Sequence, residues 1–161
     1  MTRTEIKKII DGFDPQSRVV TDLAIHCTLT PEGKELSVKD IEEAHIKQGC
    51  TQIGCHFVVL LDGTIEPGRQ MVLPGALVRG FNSHSIAVLY VGGLTEDRSE
   101  PKDTRTAAQK SSLTWLLEAL VARIPMVNTI KGHRDYPRAR TASPSFDAIP
   151  AYKSLIKTNE Q

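Results

Sequence analysis

The chain has 161 residues, of which 40% are hydrophobic and 24% charged, and its formal net charge is +1. That length suits one domain able to bury a core without staples, and the balanced charge argues against nucleic acid or a membrane surface as partner. No apolar run approaches the ~18 residues of a spanning helix, and Cys27, Cys50 and Cys55 form neither a Cys-X-X-Cys pair nor an even disulfide set.

In chain order, residues 1–18 read as an N-terminal extension in which Ile6, Ile9 and Ile10 share one face of a short helix. Residues 19–27 are mostly apolar and β-branched and predict a strand ending at His26-Cys27. Ser37 with Asp40 three residues on is a capping box, opening a helix that Gly49 closes. Ile41, Ala44, His45 and Gln48 share a face of that helix, and His45 and His84 read as helix-face or surface histidines.

Residues 56–61 form a further strand, and Asp62-Gly63 turns it into a hairpin that residues 64–66 complete. A Pro- and Gly-rich loop covers 67–82, and residues 85–91 make another buried strand. Thr106 and Gln109 form a second capping box, followed by the stripe Leu113, Leu116, Leu117, Leu120 and Val121, which Pro125 ends. Residues 127–131 are a strand with His133 just past its end, and a last helix covers about 147–156 with Pro150 near its start. Strands alternating with helices predict an α/β fold, a mixed central sheet flanked by helices, spanning 1–161 as one domain.

Four stretches carry a likeness to a known family. They are Ile25-His26-Cys27-Thr28; Gly54-Cys55-His56-Phe57 with Asp62-Gly63-Thr64; Gly80-Phe81-Asn82 with Ser85-Ile86 and Val91-Gly92-Gly93; and Gly132-His133-Arg134-Asp135 with Pro144-Ser145-Phe146-Asp147. In this order and spacing the chain resembles the N-acetylmuramoyl-L-alanine amidases of the peptidoglycan-recognition-protein type, which include phage lysozyme-amidases. The resemblance covers about 21–152 and implies that family's fold. It also implies its reaction, zinc-dependent hydrolysis of the amide between the lactyl group of N-acetylmuramic acid and L-alanine. In such a site zinc lowers the pKa of its water and polarises the scissile carbonyl.

The resemblance places metal ligands at His26, His133 and Ser143. Ser143 stands where the family carries cysteine, and a neutral hydroxyl holds zinc far less well than a thiolate. Cys55 falls at the family's catalytic tyrosine and Thr141 at a frequent lysine. Leu77 replaces a usual histidine and, with Asn82, falls among substrate-binding positions, while Ala44 and Cys50 lie where tryptophans are common. His56 reads as structural, Cys27 as a core residue turned away from His26, and Arg134, Asp135 and Asp147 as loop-fixing groups. A Cys55 thiolate acting as substitute ligand would fall short of the metal.

The expectation is thus a peptidoglycan- or muropeptide-directed amidase with an impaired zinc site. Two alternatives stay open: a working amidase with a substituted site, as in an endolysin, and a non-catalytic binding module for peptidoglycan or for a protein partner. The start of the chain lacks a signal-peptide apolar core. It predicts a protein made in the cytoplasm, and the resemblance implies that such a protein is brought to the wall by holin-type release; a monomer is expected.

Overall fold

The computed structural model describes residues 1–157. Five strands form the central sheet in the order β4-β3-β5-β1-β7: β1 is Asp22–Cys27, β3 Phe57–Val59, β4 Ile65–Pro67, β5 Ser85–Tyr90 and β7 Thr129–Gly132. Only the β3–β4 hairpin is antiparallel; β1 runs parallel to both β5 and β7, and β3 parallel to β5. A small parallel pair, β2 (Thr30–Pro31) with β6 (Gly93–Leu94), lies beyond the ends of β1 and β5. The mixed sheet flanked by helices is the architecture the sequence predicts.

Side-chain alternation sorts the sheet into two faces. Leu23, Ile25 and Cys27 of β1, with Ile86, Val88 and Tyr90 of β5, join the core under α1 (Arg3–Gly12) and α3 (Ala107–Arg123). Leu113, Leu116, Leu117 and Leu120 of α3 fill that core, as their spacing implies. On the other face Ala87, Leu89 and Val58 pack with Ile41 of α2 (Val38–Lys47) and with Ile53 and Cys55.

The helix ends follow the sequence signals. Ser37 and Asp40 close a reciprocal capping box, as do Thr106 and Gln109. Thr2 and Glu5 form a third at α1. Gly49, at φ +101°, follows α2 in the left-handed region where glycine is favoured. The C-terminal helix is shorter than expected: α4 spans Ala148–Tyr152 and tightens into a 3₁₀ turn, Lys153–Leu155. Among the described residues no helix is long and apolar enough to cross a membrane.

Candidate functional site

The parallel register builds the site. Ile25 pairs with Gly132, so the residues that follow them, His26 on β1 and His133 just past the end of β7, emerge at the same end of the sheet. Their ring centroids lie 4.8 Å apart at an interplanar angle of 64°. The carboxyl ends of parallel strands are where open α/β sheets place their ligand crevices. His26 belongs to the face of β1 opposite Cys27; on that face Ala24 packs with Val78 and Tyr136. Cys27 lies in the α3 core, its sulfur 3.8 Å from Ser145 Oγ.

Ser143 is tied to both histidine segments. Its carbonyl accepts from the Arg134 N–H at 2.8 Å and its Oγ accepts from the Cys27 N–H at 3.0 Å. The close approach depends on Gly132, where a Cβ would clash with the Pro144 ring. The Tyr90 hydroxyl donates to the Pro144 carbonyl, and Ser145 Oγ donates to Gly93 O at 2.8 Å. Ser143 is only 3% exposed, and its hydroxyl is held against the backbone that follows His26 while its carbonyl is held against the backbone that follows His133.

The electrostatics favour neutral rings. Burial, with His133 close by, pushes the His26 pKa well below its ordinary value, and burial lowers that of His133. His26 Nε2 is fully enclosed and has no hydrogen-bond partner, an arrangement that is uncommon for a buried polar atom and that a bound cation would satisfy. Two donors therefore suit zinc. The third does not: Ser143 offers a neutral hydroxyl already engaged by an amide, and among the described residues no group of three His, Cys, Asp or Glu side chains converges there. The donor set does not match the two imidazoles and one thiolate implied by the sequence resemblance.

The other expected site residues fall as follows. Cys55 is fully buried beside Ile41, Ile53 and Leu89, and burial pushes its thiol up to about 12, so it is no thiolate at neutral pH. Thr141 Oγ1 accepts from Ser143 N at 3.1 Å, which shapes the turn that leads into Ser143. Leu77 lines the adjacent cleft and packs against the Cys55 cluster, and Asn82 Oδ1 accepts from Val78 N at 3.0 Å. His56 accepts from Ala87 N at 2.9 Å through Nδ1 and contacts Leu73 O at 2.8 Å through Nε2. This makes it a neutral strut. Asp135 Oδ2 accepts from Gly132 N at 2.8 Å, and Arg134 pairs with Asp147, so both hold the loop. His45 is buried rather than superficial, with Nδ1 accepting from Gly54 N at 2.9 Å.

Apart from Leu77 and His133, sequence reasoning missed the walls of the cleft. It measures about 920 Å³ and is lined by Arg79 and Phe81 on one side and by His133, Tyr136, Arg138 and Arg140 on the other. Its three arginines face no lining Asp or Glu. Phe81 and Tyr136 meet at 5.0 Å between ring centroids, and the Tyr136 hydroxyl donates to Asp22 Oδ2 at 3.1 Å. The available signal was the run of basic residues between His133 and Ser143.

Fold, crevice and histidine pair define an amidase-type peptidoglycan protein, and the sequence comparison agrees. Residues 16–146 match the family model of the N-acetylmuramoyl-L-alanine amidases, so the chain belongs to that family, which is zinc-dependent. It is 36% identical to the endolysin of Enterobacteria phage K11 over 84% of this chain and 85% of that one. Against the endolysin of Escherichia phage T7 the identity is 35%, over 82% and 85%. Among solved structures, the LysCS amidase endolysin of Clostridium intestinale superposes with a TM-score of 0.70 at 23% identity, covering 86% of this chain and 82% of that one. A human PGRP-IBETAC structure, in complex with glycosamyl muramyl pentapeptide, superposes at 0.66 and 24%, covering 84% and 82%.

Proposed function

We propose that this chain binds the stem peptide of peptidoglycan in the arginine-walled cleft and hydrolyses the lactyl–L-alanine amide poorly, because Ser143 leaves the metal site one thiolate short. The observation that carries the reading is the cleft itself: Arg79, Arg138 and Arg140 surround it, no carboxylate lines it, and His133 opens onto it. Stem peptides carry free carboxylates, which guanidinium groups recognise by charge and by paired hydrogen bonds. A human protein of this fold holds a muramyl pentapeptide. The endolysin relatives suggest release to the wall through a holin.

Cosedimentation with purified peptidoglycan tests the binding. The protein is expected to pellet with the wall, less so as salt rises. Reversing Arg79, Arg138 and Arg140 to glutamate should weaken binding about tenfold or more. Failure to pellet at low salt, or indifference to the three reversals, would overturn the reading.

A further inference from the structure

The cleft wall at residues 77–82 belongs to a long irregular segment between β4 and β5, and such a segment needs an anchor to hold a binding geometry. Arg18 supplies one. It lies four residues before β1 and is half-buried, and all its hydrogen-bond partners are backbone carbonyls. Nε and Nη2 donate to Met71 O at 3.2 and 2.7 Å. Nη1 lies 3.3 Å from Asn82 O, 3.1 Å from Ser83 O and 3.1 Å from Ser85 O. One planar cation thus gathers both ends of the segment. Asn82 carries the tie onward, since its side chain accepts from Val78 N within the wall.

We propose that Arg18 is a positioning residue for the cleft: it fixes the 77–82 wall, with Arg79 and Phe81, relative to β1 and the His26–His133 pair. It touches no ligand itself; it sets the distance between the arginines on the two walls. A guanidinium suits the task because its donors point in fixed directions in one plane, whereas lysine offers a single flexible point of attachment. This inference rests on the cleft being the stem-peptide site.

The test compares Arg18→Met, Arg18→Lys and a control, Arg123→Met, in the full chain. Arg123 donates to Phe13 O through Nε at 3.0 Å and Nη2 at 2.8 Å, outside the cleft lining, so its loss destabilises without touching the wall. Affinity for a disaccharide-tetrapeptide is measured by calorimetry, with thermal midpoints and amide hydrogen exchange alongside. Arg18→Met is expected to weaken binding about five- to tenfold, the effect of an anchor whose wall must be ordered anew on binding. Arg18→Lys should recover part of the loss, and Arg123→Met should bind within about twofold of the parent even where its midpoint falls further. Faster exchange in Arg18→Met should be confined to residues 71–85. Equal weakening by Arg123→Met, or unchanged affinity in Arg18→Met, would overturn the proposal. A parent that does not bind the muropeptide refutes the stem-peptide reading instead; the anchor is then judged by exchange, and unchanged protection at 77–82 refutes it.

Discussion

Replacing Ser143 by cysteine should restore strong zinc binding. Disturbing a hydrogen-bond partner of a metal ligand typically lowers affinity ~10- to 100-fold. Supplying a missing thiolate ligand should therefore gain about 100-fold or more, roughly 2.7 kcal/mol. Against this, Ser143 Oγ now accepts from Cys27 N at 3.0 Å in a buried position. Sulfur accepts more weakly, so the metal-free variant should be about 1 kcal/mol less stable. In a chain of this size that lowers the melting temperature by ~2–4 °C. Zinc at a thousandfold over the variant's Kd adds about 4 kcal/mol, whereas the same concentration, tenfold over a hundredfold weaker Kd, adds only about 1.4 kcal/mol to the parent. The assay is a competitive chelator titration paired with thermal scans. Equal zinc affinity in parent and variant would refute the assignment of Ser143 to the third ligand corner.

Other perturbations follow from the same geometry. Burial holds the His56 pKa down at about 4, below the ~6.5 of an unfolded chain. The unfolded state then binds the extra proton first, so the stabilisation is complete above about pH 6.5 and is lost as pH falls towards 4, by roughly 3 kcal/mol. Denaturant titrations of the parent and of His56→Gln at pH 7 and pH 4.5 should show a much smaller pH dependence in the variant. Tyr90→Phe removes the donor to the buried Pro144 carbonyl; chemical denaturation should show a loss of about 1–3 kcal/mol. Thiol titration of the native protein at neutral pH should find Cys50 reacting quickly while the buried Cys27 and Cys55 stay protected. Fast labelling of Cys55 would contradict its burial.

Local signals explain how much of the fold could be read from the sequence. Ser37, Thr106 and Gly49 act through neighbours within a few residues, and the structure shows each at its helix end. Period-two alternation likewise separated Cys27 from His26, since each faces a different layer. What escaped depends on distant partners. The β2–β6 pair has only two residues per strand, too few for any periodicity, and is defined by pairing across more than sixty residues. His45 looks like an ordinary helix-face residue until Gly54 N is seen to donate to it. Arg18 is one basic residue in a polar segment, and only the folded chain brings the Met71 and Asn82 carbonyls to it. The arginine walls were hidden for the same reason: Arg79 stands 59 positions before Arg138 in the sequence, and the two meet only across the cleft. The histidine pair was legible through family likeness; its closeness comes from the Ile25–Gly132 register.

The most direct measurement is mass spectrometry of a purified muropeptide incubated with an equal amount of the protein in zinc-containing buffer. Retention by the protein of intact muropeptide, with little free stem peptide after hours, is the predicted outcome. Rapid and complete release of a peptide beginning with L-alanine would contradict the claim that Ser143 disables the site.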